Sequence, residues 1–254
     1  MKTNRVMQDI QPSTSLAIAC SNLHSPFLAT LKRPALNGVN CAIRAGEFVT
    51  LVGLNGAGKS TLLRSLVGLV PIQKGTIHIN GVAVSFKSLR QRQEVSILFQ
   101  GGGLVPQLTA LENVLCGSLG QQSTWQTLTG FRRSDRLRAL QLLQELGLDA
   151  QIYQKTSHLS GGQRQRVAIA RILMQSPKIL LVDEPITGLD VLAATQVMDI
   201  FSQLHRQGIT IVSVLHDLTI AANYAQRAIV LNAGRVVYDG VCENLPAHLS
   251  LGRS

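Results

Sequence analysis

The chain of 254 residues contains no apolar run of 18 or more, so no single segment is long enough to span a membrane as a helix. Its opening stretch, residues 1–14, is polar and lacks the apolar core of a secretory signal, so a short N-terminal tail is expected there. Cysteine is scarce. Cys20, Cys41, Cys116 and Cys242 show no metal-ligand or redox spacing, and four buried or incidental thiols are expected. Acidic residues are the minority, 14 against 24 Lys and Arg, and the net charge of +10 suits polyanions such as nucleotides, nucleic acid or an anionic membrane surface. Aromatics make up only 4%, and no dense Lys/Arg block with interleaved aromatics appears, so no nucleic-acid groove is expected. Arg132, Arg133, Arg136 and Arg138 do cluster. One solvated helix face explains them most simply, and a patch near lipid head groups is the sharper alternative. Internal repeats and low-complexity linkers are also missing.

What is present is a globular composition, 45% hydrophobic and 15% charged, with strand-like and helix-like segments in alternation. Phe48 to Val52 reads as a buried strand, and Lys59 to Leu69 as the helix after it. Gly75 to Val84 alternates around Asn80-Gly81, a hairpin signal. Val95 to Phe99, Ile179 to Val182, Ile209 to Val214 and Ala228 to Leu231 read as further strands. Thr109 and Glu112 fit a capping box. Ser134 to Leu146 is a helix with apolar positions at Leu137, Leu140, Leu143 and Leu146, stopped by Gly147. Ser160 to Gln175 is another, ended by Pro177. The expected fold is α/β, with a mostly parallel sheet covered on both faces. The helix-rich stretch at about 101–175 reads as a helical subdomain inserted into that core, and a small antiparallel β subdomain is expected beside it.

Three motifs carry chemistry. Gly53-Leu54-Asn55-Gly56-Ala57-Gly58-Lys59-Ser60 fits the nucleotide-phosphate loop. Side chains at Gly53, Gly56 and Gly58 would block the approach of backbone amides to a phosphate. The loop as a whole, including Asn55 and Ala57, passes into a helix whose N-terminus adds positive charge. Lys59 reaches the β/γ-phosphates, the Ser60 hydroxyl suits Mg²⁺, and Thr61 is expected at the α-phosphate. Ile179 to Glu184 is an apolar strand ending in two carboxylates. Asp183 is placed to organise Mg²⁺, which leaves Glu184 to polarise a water for attack on the γ-phosphate. Leu159-Ser160-Gly161-Gly162-Gln163 opens a helix with exposed amides, a second anion site.

A phosphate loop paired with an LSGGQ-type segment just before an Asp-Glu strand end resembles the ATP-binding subunit of an ABC transporter, a P-loop ATPase core. The resemblance runs from Phe27 to about Gly240 and implies one ATP-binding domain at 15–246, with tails at 1–14 and 247–254. It implies two ATP molecules sandwiched in a homodimer, each facing the other copy's Ser160 and Gly162. Gln100 matches the glutamine loop, which senses Mg²⁺ or the attacking water. His216 matches the switch histidine at the γ-phosphate, and Asp190 the segment that communicates across the dimer. Phe27 is the candidate for stacking on adenine, with ordinary packing as the alternative. The resemblance further implies membrane permease partners docked near Gln100, an extracytoplasmic solute-binding protein reached through them, and a peripheral place on the cytoplasmic face of the inner membrane.

Within the family the chain looks most like the phosphonate-importer ATPases. The supporting stretches are Leu111 to Leu115, Gly117 to Gly120 with Trp125 soon after, Val167 to Met174, Asp183 to Ile186 and Tyr238 to Gly240. The run Gly101-Gly102-Gly103 departs from the bulkier residues expected after the glutamine. Phosphate, phosphite, another oxyanion or a metal chelate remain alternative cargoes, and export an alternative direction. A soluble ABC ATPase acting on DNA or ribosomes is a rival, but sustained heptads and a second ATPase set are both missing.

Overall fold

The computed structural model describes residues 15–28, 32–85, 88, 92, 94–121 and 130–244. The expected tails, 1–14 and 247–254, and Trp125 lie outside them. The strands in chain order are β1 (Leu16–His24), β2 (Phe27–Leu28), β3 (Arg33–Pro34), β4 (Asn37–Arg44), β5 (Phe48–Val52), β6 (Lys74–Ile79), β7 (Val82–Val84), β8 (Val95–Leu98), β9 (Ile179–Asp183), β10 (Thr210–Val214), β11 (Arg227–Asn232) and β12 (Arg235–Val241). The α-helices are α1 (Lys59–Leu66), α2 (Ala110–Leu115), α3 (Arg133–Glu145), α4 (Gly161–Leu173), α5 (Val191–Arg206) and α6 (Leu218–Tyr224).

Six strands form the main sheet in the order β12-β11-β5-β10-β9-β8. The five from β11 to β8 run parallel, and β12 closes one edge antiparallel. A second sheet, β4-β1-β6-β7, is antiparallel. Alternation along each central strand divides the interior in two. Phe48, Val52, Leu180, Val182 and Ile211 face the core built with α2 to α6. Val49, Leu51, Leu181, Val212 and Val214 face the other core, shared with α1 and the antiparallel sheet. A sheet covered on both faces reads as continuous apolar strands, which is why β5, β9 and β10 are buried throughout.

Helices α2, α3 and α4 all lie between β8 and β9, two strands that pair directly. The helical insertion therefore leaves from the outermost strand β8 and returns to its neighbour β9. Thr109 caps α2 with Glu112 in a capping box, as the sequence suggests. Of the expected apolar stripe, Leu143 and Leu146 are buried and Leu140 packs against the core, but Leu137 is 58% exposed, and Ala139 is buried in α3 instead. Helix α1 stops at Leu66, short of Leu69, where Gly68 takes a left-handed φ. The register of β1 on β4 sets Cys20 opposite Cys41, a pairing that their separation in sequence hides. A hydrogen bond with Cys41, together with burial, holds the Cys20 thiol well above its usual pKa, and both cysteines are buried in the core.

Asn113, fully buried, ties the loop before α2 to the insertion. Its Oδ1 accepts from Val105 N–H at 2.8 Å, and its amide donates to the carbonyls of Val105 and Thr109. Asn113→Ala leaves those groups unsatisfied in the interior. It is expected to cost about 2–3 kcal/mol, measured as a lower urea midpoint with an unchanged slope.

Candidate functional site

The parallel register explains how distant residues meet. Strands β5, β10, β9 and β8 lie side by side and point the same way, so the segments that follow them emerge at one edge. Those segments hold the loop from Gly53, His216, Asp183 with Glu184, and Gln100. The loop from Asn55 to Thr61, together with Ala35 and Glu184, lines a cavity of about 130 Å³.

The loop's glycines answer to protein neighbours as well as to an approaching phosphate. A Cβ on Gly53 would lie 2.3 Å from the Leu231 carbonyl oxygen, and one on Gly58 2.4 Å from that of Ala35. Gly56 has a left-handed φ of +75°. Gly58 begins α1 without a side-chain cap, and the first turn carries no acidic residue. The amides and positive dipole end of α1 are thus directed at the cavity lined by Lys59, Ser60 and Thr61. Lys59 donates from Nζ to the carbonyls of Gly53 (2.6 Å) and Leu54 (3.1 Å). Burial lowers its pKa, with the charges of Glu184 and Asp183 opposing.

Asp183, only 2% exposed, accepts from Ser60 Oγ at 2.8 Å on one oxygen. Its other oxygen lies 3.6 Å from Arg64 Nη2. Sequence reading missed Arg64. The available signal was its position four residues after Ser60, on the same face of α1.

Glu184 sits at the strand end with φ +51°, a conformation that non-glycine residues seldom adopt. Its carboxylate accepts three hydrogen bonds: from Gln100 Nε2 (3.1 Å), Thr187 Oγ1 (3.2 Å) and His216 Nε2 (2.7 Å). A carboxylate only accepts, so His216 is the donor here, through Nε2. Thr187 is the donor that sequence reading did not foresee, three residues from Glu184 across a tight turn. Burial pushes the Glu184 carboxyl up. The hydrogen bond and charge of His216, with Thr187 and Lys59, outweigh that and leave it below the ordinary carboxylate range.

The remaining candidates lie elsewhere. Ser160 to Gln163 are not in the cavity lining. Ser160 caps α4: its Oγ accepts from Gln163 N–H at 3.2 Å, and Gln163 Oε1 accepts from Ser160 N–H at 2.8 Å. The two signature glycines are packing sites. Their Cβ positions meet Leu189 (3.0 Å at Gly161) and Ala193 (2.9 Å at Gly162). Asp190 caps α5 through Ala193 N–H at 2.8 Å. Phe27 is 63% exposed on β2 and outside the lining. The hairpin that holds it reaches the loop through Arg33, which donates to the Gly56 carbonyl at 2.8 Å and was also missed.

The depressed Glu184 pKa fixes the sign of an acid effect. Its stabilisation is complete above the unfolded value of about 4.5 and is lost as pH falls through the lower folded value. Glu184→Gln removes that titration. Urea midpoints of the variant are expected to fall less than those of the native chain on acidification from pH 5.5 toward about pH 3.

Against known proteins, a family model described as ABC transporter matches residues 36–187. A phosphonates import ATP-binding protein of Nostoc sp. (strain PCC 7120 / SAG 25.82 / UTEX 2576) is 64% identical over 232 residues, 91% of this chain and 95% of the relative. One from Lactobacillus acidophilus is 43% identical over 217 residues, 83% of this chain and 84% of the relative. Among solved structures, the dimeric post-hydrolysis state of an ATP-binding cassette bound to ADP and Pi superposes with a TM-score of 0.75 at 32% identity, over 89% of this chain and 98% of that one. With its phosphate loop, paired carboxylates and signature helix each in place, the chain belongs to the ABC transporter family.

Proposed function

We propose that this chain is the ATP-hydrolysing subunit of an ABC importer, coupling ATP binding and hydrolysis to uptake of a small oxyanion, phosphonate. The observation that carries the hydrolytic part is Glu184, held by three donors beside the phosphate loop. The cargo is carried over from the import proteins that the chain matches over nine-tenths of its length.

In this reading the amides at the start of α1 and Lys59 bind the β- and γ-phosphates. Thr61 lies at the α-phosphate, and Phe27 stacks on the adenine. Glu184 accepts the proton of the attacking water, with His216 and Gln100 fixing its orientation. Ser60, Asp183 and Gln100 offer oxygen donors only, a set that fits Mg²⁺. When bound, the ion would neutralise charge on the β,γ-phosphate oxygens.

The cassette domain spans 15–246, with its helical subdomain at about 101–175. A second copy completes the site: Ser160 and the backbone of Gly162, with Gln163 and Asp190 close by, face the partner's ATP. Permease subunits dock near Gln100 and the insertion, and a solute-binding protein is reached through them. Among the described residues no helix is long and apolar enough to cross a membrane. The subunit is read as peripheral, on the cytoplasmic face of the inner membrane.

Glu184→Gln is expected to bind ATP within about threefold of native and to turn it over at least about 100-fold more slowly, measured by equilibrium binding and phosphate release. Near-native turnover would remove Glu184 as the base. In source cells, the same variant is expected to fail on a phosphonate as sole phosphorus source while growing on phosphate. Equal growth on both would remove the phosphonate assignment. Phe27→Ala is expected to raise the Kd for ATP about fivefold or more, and an unchanged Kd would remove Phe27 from the site.

A further inference from the structure

The run Gly101-Gly102-Gly103 follows Gln100 directly and has no part in the site just described. All three residues take left-handed φ angles, +73°, +73° and +58°. Gly102 is pressed against the signature helix α4, where a Cβ would come 2.8 Å from the Cβ of Ala168. Three residues along the same face, Arg171 grips the turn. It donates Nη1 to the Gly103 carbonyl at 2.8 Å and Nη2 to the Gly102 carbonyl at 2.7 Å.

We propose that Arg171 is a positioning residue for hydrolysis, latching the Gly101–Gly103 turn to the signature helix so that Gln100 meets Glu184. This rests on the ATPase reading above. Three successive glycines give a turn more backbone freedom than any other sequence. Two charge-assisted bonds from one rigid guanidinium to adjacent carbonyls remove that freedom. The link is continuous: Ser160 caps α4, Arg171 lies near the other end of that helix, and Gln100 adjoins the turn and donates to Glu184. A displacement of α4, whose N-terminus serves the partner's ATP, thereby reaches the donor set of this chain's own base.

The test is steady-state ATP turnover by the full chain, comparing native with Arg171→Ala, Arg171→Lys, Gln100→Ala and the Gln100→Ala/Arg171→Ala double variant. Arg171→Ala is expected to lower kcat about tenfold with the KM for ATP within about twofold of native. Arg171→Lys, which keeps the charge and the apolar stem, falls between. The double variant falls no further than Gln100→Ala alone, within about twofold. Equal fold-losses from Arg171→Ala in both backgrounds, or a raised KM at native kcat, would overturn the latch. If thermal melts show Arg171→Ala unfolded, Arg171→Lys carries the same comparison in the Gln100→Ala background. A native chain without ATP turnover would sink the functional reading and this inference with it. An active native chain with additive losses would sink the latch alone.

Discussion

Strand β5 is hydrogen-bonded on both sides to parallel partners, β11 and β10, and the position of the phosphate loop follows from that. A parallel strand cannot return by a tight turn, so every crossover must pass over a face of the sheet. The strands then deliver their loops at one common edge. The loop, the Asp183-Glu184 pair, His216 and Gln100 converge because of this, although Gln100 and Glu184 are 84 positions apart. The apolar strands need the helices on both faces, and the helices in turn leave that edge open.

At the edge, two carboxylates adjacent in sequence acquire different surroundings. Asp183 belongs to the buried strand and is held by Ser60 and Arg64. Glu184 has left the strand, with a left-handed φ that turns its side chain toward the cavity. Such a conformation costs on the order of 1–3 kcal/mol and persists only when neighbours over-determine it. Gln100, Thr187 and His216 supply that constraint, and each of them approaches from a different segment. Burial pushes the Glu184 pKa up, and the hydrogen bonds of His216 and Thr187 with the charges of His216 and Lys59 bring it down below its ordinary value.

The signature helix is built by local rules and used at a distance. Its capping box is complete within four residues, Ser160 to Gln163. Its glycines are small because Leu189 and Ala193 pack against them, which joins the start of α4 to the segment leading into α5. Arg171, toward its other end, holds the turn after Gln100. One helix therefore touches the segment that carries Asp190 and the segment that carries Gln100.

The sequence by itself determined whatever is local in the chain. The phosphate loop, the strand leading into Asp183 and Glu184, the Thr109–Glu112 capping box and the Asn80-Gly81 hairpin are all specified by residues within a few positions of one another, so their patterns survive in one dimension. The parallel strands β5, β8, β9, β10 and β11, and the helical insertion between β8 and β9, could be read in the same way, whereas β1, β4 and β12 were not. Only the tertiary structure decided the rest. Arg64 on Asp183, Arg33 on Gly56 and Arg171 on Gly102 are ordinary residues in ordinary local contexts. Their roles come from sheet register and helix docking, which bring them to partners as far as 119 positions away along the chain (183 − 64). The outward turn of Leu137 has the same origin. Its spacing fits a buried stripe, but the neighbours of α3 determine which side of that stripe faces inward, and they selected Ala139 and Leu143.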